Sequence, residues 1–153
     1  MSKVTLAEIR QKCTPDQLAT RDTNAIAAQV SIGRTKIVET RIRWRHVLSA
    51  LGAVDGQAVI DALNAAIPAD GGTPAKKAGR PLATAAEMIH PRSSEGLDVG
   101  DPQTRAQLDA LGAQGVVMST AQAAVLKALA VVPDPVSQDD VNAVCWSGGN
   151  WIA

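Results

Sequence analysis

Signals for the start of a helix recur along this 153-residue sequence, and each is soon followed by a glycine or a proline. Thr5 to Glu8 has the pattern of a capping box, in which side chains satisfy the free amides of the first turn. Thr14-Pro15 and Asp101-Pro102 each place a capping side chain before a proline that fits the first helical turn. Gly33 has the position of a helix-ending glycine. The sequence therefore predicts a mainly α fold of short helices.

The last third of the chain is predicted to contain an αα-hairpin. Two helical patterns lie between residues 103 and 132, the second of them capped by Ser119 or Thr120. Ser137 to Asp140 then begins a final helix. The second hairpin helix carries Lys127 as its only cation, so we expect a packing role and not a DNA-reading helix-turn-helix.

Composition limits both the core and the kinds of ligand site. The chain has 27 alanines and three tryptophans but no phenylalanine and no tyrosine. Its core must be built from leucine, isoleucine, valine and alanine, which suits closely packed helices. Because aromatic side chains supply much of the binding energy of ligand pockets and of single-stranded nucleic-acid platforms, neither kind of site is favoured.

Residues 35–46 break the helical pattern. The sequence there, TKIVETRIRWRH, alternates arginines with Ile42, Trp44 and His46, which predicts a β-strand with one basic and one apolar face. No second run of this length alternates, so its partner must be a short local hairpin or another chain. The fold class is thus mainly α, with one β-strand or small β-hairpin around residues 35–46.

The basic face of this strand is a candidate interaction site. Arg41, Arg43 and Arg45, together with Lys36, have the charge to contact phosphate or an acidic protein surface. The alternative is an edge strand charged against aggregation. Trp44, on the other face, is expected in the core.

Residues 68–82 are rich in glycine, proline, alanine and lysine, and predict a linker or an extended arm. This divides the chain into an N-terminal helical segment, 1–67, and a C-terminal hairpin segment, 83–153. Lys76, Lys77 and Arg80 make the arm basic. A basic arm could lie in an AT-rich minor groove, but this single copy has no arginine before the glycine, and we favour a solvated flexible linker.

Charge is unevenly placed along the chain. Residues 1–50 hold nine basic and four acidic residues, whereas residues 81–153 hold three basic and eight acidic residues. Chance clustering on solvated surfaces explains this pattern. The other interpretation is a polar molecule whose basic end meets the acidic end of a neighbour in head-to-tail assembly.

No residues form a motif for catalysis, metal binding or a cofactor. Cys13 and Cys145 are expected to be reduced, buried thiols, and His46 and His90 lack metal-ligand spacing. Cys13, His46 and Asp55 can be drawn as a triad, but no nucleophile motif surrounds the cysteine. We therefore expect a chain that is not an enzyme, with no metal and no cofactor. The charged N-terminus and the lack of a long apolar run predict a protein made in the cytoplasm, with no membrane partner.

Two stretches together carry a family resemblance. Residues 7–37, AEIRQKCTPDQLATRDTNAIAAQVSIGRTKI, resemble the opening of small proteins encoded in tailed-bacteriophage genomes. Residues 101–137, DPQTRAQLDALGAQGVVMSTAQAAVLKALAVVPDPVS, resemble the hairpin and Pro-Asp-Pro break that close such proteins. The resemblance implies a virion or virion-assembly component from the head–tail or tail region, and it assigns no functional residues.

The sequence thus supports two hypotheses. The first is a phage structural protein that binds other virion proteins or copies of itself, as a homo-oligomer, through strand 35–46 and arm 68–82. The second is a small nucleic-acid-binding regulator or anti-defence protein that uses the basic N-terminal half.

Overall fold

The computed structural model describes residues 3–65 and 95–153, and its contacts divide the chain into two compact units. Unit 1 combines Met1–Lys36 with Val132–Ala153, and unit 2 is Ile37–Val131. Each unit therefore draws on both of the segments, 1–67 and 83–153, that the sequence suggested. The predicted arm 68–82 lies outside the described residues.

Eight helices and six short strands occur in the described part of the chain. In chain order they are α1 (Leu6–Lys12), α2 (Pro15–Ala19), α3 (Thr23–Ser31), β1 (Thr35–Ile37), β2 (Arg41–Ile42), α4 (Trp44–Leu51), α5 (Ala53–Ala65), β3 (Leu97–Asp98), α6 (Pro102–Gln114), α7 (Thr120–Ala128), β4 (Val131–Pro133), α8 (Gln138–Cys145), β5 (Trp146–Ser147) and β6 (Asn150–Trp151). The predicted mainly α fold with small β elements is confirmed.

Local capping explains where most helices begin. Thr14, Ser119 and Ser137 each form a complete capping box with the side chain three residues later. Asp101 Oδ2 accepts a hydrogen bond of 2.7 Å from the Thr104 amide at the start of α6. These bonds satisfy amides that have no partner within the helix.

Unit 1 packs α1, α2, α3 and α8 around one apolar core. Ile9, Ile26, Val30, Val141 and Cys145 are almost completely buried in it. The chain then closes with the hairpin β5–β6, where the Trp146 and Trp151 rings pack edge to face at 5.4 Å. The first and last segments of the chain are therefore held together by a shared core.

Unit 2 has a core of its own, built on α4 against α5 and on the predicted hairpin α6–α7. Val47, Val59, Leu108 and Leu126 lie at its centre. Gly112 lets the two hairpin helices approach closely, because a Cβ there would lie 3.0 Å from the Thr120 Cα atom.

The single strand predicted over 35–46 is wrong in its extent and in its partners. Residues 35–37 pair with β4, residues 41–42 pair with β3, and helix α4 begins at Trp44. Residues from Trp44 onward form a helix and not a strand for two reasons. His46 Nδ1 accepts a 2.9 Å hydrogen bond from the Arg43 amide, and the helix buries Val47 in the core. Both strand partners are distant segments of this chain, so the structure shows neither the local hairpin nor the pairing with another chain that the sequence left open.

Helix α5 follows α4 after one residue. Its first residue is Ala53, directly after Gly52, which adopts a φ of 86°. Asp55 lies in its first turn, where the positive end of the helix dipole stabilises a carboxylate.

Asp98 joins the short strands of unit 2 to the loop before β2. Its Oδ1 atom accepts hydrogen bonds of 2.9 Å from the amides of Thr40 and Gly100. These bonds hold the pKa of this carboxyl below its usual value despite partial burial, and the bond from Thr40 has the largest effect. A Cβ at Gly100 would overlap the Val38 carbonyl, so this turn requires glycine.

Candidate interaction surfaces

The arginine segment, residues 41–45, contains four of the predicted site residues. Arg41 lies in β2, Arg43 is the N-cap of α4, and Trp44 and Arg45 form its first turn. The predicted flat basic face is therefore wrong, because successive residues of a helix turn by about 100°. Trp44 is 36% exposed and is not part of either core cluster.

Carboxylates partly neutralise this segment. Arg41 Nε lies 2.8 Å from Glu39 Oε1, in an ion pair whose two side chains are both more than half exposed. This hydrogen bond raises the pKa of Arg41, and Asp98 and Glu95 add to the effect. The segment is thus a mixed-charge surface with basic excess, which weakens the case for a phosphate site.

Lys36 does not join the arginine segment. It belongs to unit 1, where its Nζ atom lies 3.5 Å from Asp134 Oδ1. The same carboxylate lies 3.7 Å from Lys3 Nζ and 3.8 Å from an Arg34 nitrogen. Arg34 also contacts Glu8 at 2.5 Å. This group of charges pairs the basic start of the chain with its acidic end.

These contacts do not favour the interpretation of the uneven charge as a polar molecule. Unit 1 contains six basic and six acidic residues, and the range 37–131 contains nine of each. Folding therefore brings the oppositely charged ends of the sequence into one neutral unit. Head-to-tail attraction between copies has no support from this distribution.

The remaining predicted site residues, Lys76, Lys77 and Arg80, lie outside the described residues. Their proposed contacts with a partner or with DNA stay predictions.

An apolar patch on unit 2 was not foreseen. It consists of two pairs of exposed side chains: Val125 (41% exposed) with Leu129 (38%) at the C-terminal end of α7, and Ile37 (54%) with Val131 (37%) on the adjoining strands. Val125 and Leu129 lie one helical turn apart. Ile37 and Val131 lie on neighbouring strands, since the adjacent Val38 amide donates to the Ala130 carbonyl at 2.9 Å. Exposed apolar side chains that lie side by side, as in each of these pairs, are a feature of protein contact sites.

The sequence carried a weak signal of this patch. Apolar residues occupy positions 123, 125, 126, 129 and 130, which is a wider arc than one core-facing stripe requires. Ala123, Leu126 and Ala130 are buried in the core, whereas Val125 and Leu129 are apolar residues that the core does not use.

Both cysteines are buried and free, and both belong to the core of unit 1. Burial raises the pKa of each thiol, and Cys13 raises that of Cys145 further. Residues 3–65 and 95–153 contain no group of three or more His, Cys, Asp or Glu residues that would hold a metal ion.

Comparison with models of protein families, with curated proteins and with solved structures gives no match for this chain. Among the helices of the described ranges, none combines the length and the hydropathy needed to span a bilayer.

Proposed function

We propose that this chain is a non-enzymatic structural component of a tailed-phage virion, from its head–tail or tail region, and that it assembles through protein–protein contacts. The apolar patch is the observation that carries the proposal, because its four side chains are more than a third exposed although each is large and apolar. The resemblance of residues 7–37 and 101–137 to small phage proteins supplies the virion context.

A second copy of this chain is the partner that we assign to the patch. An apolar surface is chemically complementary to itself, which suits the symmetric interface of a homo-oligomer. The equal numbers of basic and acidic residues in each unit mean that two copies meet without net repulsion. Other virion proteins remain further partners in the assembled particle.

Sedimentation velocity of the full chain and of Leu129→Lys tests this interface. We expect the wild type to associate and the variant to associate at least ~10-fold more weakly, because the interface would have to desolvate the lysine ammonium as well as lose the apolar contact of Leu129. Val116→Lys is the matched control, since Val116 is 82% exposed and precedes the other end of α7. Equal association of wild type and Leu129→Lys would refute the interface.

The virion assignment has its own test. Purified particles of the encoding phage should contain the chain in a fixed ratio to the other structural proteins. Its absence from intact particles, together with its presence in the lysate, would contradict a virion role.

The second candidate, a phage-encoded nucleic-acid-binding regulator or anti-defence protein, is favoured by the arginine segment. Arg41 and Arg45 are exposed there beside Trp44. This candidate predicts duplex DNA binding that weakens steeply with salt, through counterion release. A gel shift at low salt that Arg45→Gln weakens would support it, and no shift at micromolar protein would exclude it.

A further inference from the structure

Unit 1 carries a cleft of about 560 Å³ beside α1 and α2, with Trp151 and Ala153 on its rim. Its volume lies in the range of small-molecule sites. Arg10, Cys13, Leu18 and Arg21 also line it. The walls are therefore mixed, with apolar side chains beside two arginines and one thiol.

Both arginines are exposed to solvent. Among the described residues, no carboxylate forms an ion pair with Arg10 or Arg21. Arg10 donates a 2.6 Å hydrogen bond to the Ile152 carbonyl, which fixes one end of its guanidinium beside the cleft. Two exposed cationic groups thus line one open cleft that also presents apolar side chains.

The backbone at Arg21 adds a second, independent observation. Arg21 has a φ of 54°, and within residues 3–65 and 95–153 it is the one residue other than glycine with a positive φ. It follows the C-cap Thr20 of α2, and its amide donates to the Leu18 carbonyl at 3.2 Å. Glycine is the relaxed choice at this position, so the chain places a guanidinium at the cleft in a strained conformation.

We propose that this cleft binds a small organic anion with an aromatic or bulky apolar group. Its carboxylate, sulfonate or phosphate lies between Arg10 and Arg21, which donate charge-assisted hydrogen bonds. Its apolar part packs against Leu18, Cys13 and the Trp151 ring. The site is in unit 1 and does not depend on the apolar patch of unit 2.

Two probes with one ring system test the proposal on the full chain. 8-Anilinonaphthalene-1-sulfonate carries the anion, and N-phenyl-1-naphthylamine lacks it. The fluorescence of each probe reports its binding. We expect the sulfonate to saturate one site and the neutral probe to bind much more weakly. Arg21→Gln should weaken sulfonate binding ~10-fold or more, as the loss of a charge-assisted bond requires. Arg45→Gln, which changes an exposed arginine of unit 2, should leave it unchanged.

Arg21→Gly separates loss of the ligand from loss of the fold. Because glycine relieves the positive φ, this variant should melt at the wild-type temperature or a few degrees higher, yet bind the sulfonate as weakly as Arg21→Gln. A bound sulfonate should also slow alkylation of Cys13. Equal affinity for both probes, wild-type sulfonate binding by Arg21→Gly, or alkylation of Cys13 at an unchanged rate would each overturn the assignment.

Discussion

Removal of the Asp98 carboxylate should destabilise unit 2 more than its partly exposed position suggests. The β2–β3 ladder has only two residue pairs, Arg41 with Asp98 and Ile42 with Leu97. The Asp98 side chain adds two bonds of 2.9 Å to backbone amides. A hydrogen bond to a charged group contributes about 1.5–3 kcal/mol, and solvent access places both bonds at the low end of this range. We therefore expect Asp98→Ala to lower the free energy of unfolding by about 2–3 kcal/mol.

Asp98→Asn separates the charge from the geometry. The amide oxygen still accepts from both backbone amides, so the expected loss is about 1 kcal/mol. Asp109→Asn is the control, because it removes a carboxylate of the same unit whose partner is Lys127 on the surface. That change should cost less than about 1 kcal/mol.

The Asp98 effect should depend on pH with a definite sign. The folded state lowers the pKa of this carboxyl. Its stabilisation is therefore complete above the unfolded value of about 3.9 and is lost as the pH falls toward the lower, folded value. Urea unfolding followed by circular dichroism at neutral and acid pH measures this, with exchange of the Thr40 and Gly100 amides as the local probe. Wild-type stability of Asp98→Ala, or an Asp98→Asn penalty undiminished in acid, would refute the reasoning.

Three further changes test other contacts by urea unfolding. Gly112→Ala should lower the free energy of unfolding by about 1–3 kcal/mol, because the clash of the new Cβ with Thr120 outweighs the better helix propensity of alanine. Unchanged stability would show that the two hairpin helices move apart without cost. His46→Ala should lower the free energy of unfolding by about 1 kcal/mol, because it removes the hydrogen bond that the Arg43 amide donates to His46. His46→Asn should recover part of this loss, and no recovery would contradict a capping role for His46. Asp134→Asn should lower the free energy of unfolding by about 0.5–1 kcal/mol at low salt, because three cations surround the carboxylate, and by less at ~0.5 M salt, which screens them. The same loss at both salt concentrations would contradict an electrostatic origin.

Sequence reasoning succeeded where the decisive contacts are local. Thr14, Asp101 and Ser137 bond to amides within three residues of themselves, so their side chains specify helix starts without help from the rest of the fold. The hairpin α6–α7 follows from two such starts and one short turn. These features gave the fold class.

The errors arose where distant segments meet. Alternation over residues 41–46 mimics a strand, but Val47 is needed in the core and His46 caps the helix that places it there. The partner of Asp98 at Thr40 is 58 residues away, so no local pattern reveals it. The uneven charge along the sequence left both chance clustering and head-to-tail assembly open, because no local pattern shows that Asp134 pairs with Lys3 within one unit. The apolar patch is visible only once the core side of α7 is known.

The solution mass at low and high salt tests the central claim most directly. If the apolar patch drives self-association, light scattering after size exclusion should give a multiple of the 15.9 kDa chain mass, and the oligomer should persist at ~0.5 M salt, since screening does not weaken apolar contacts. A monomer at both salt concentrations would contradict self-assembly through the patch. An oligomer that dissociates in salt would contradict an apolar interface and would indicate that charged residues hold the copies together.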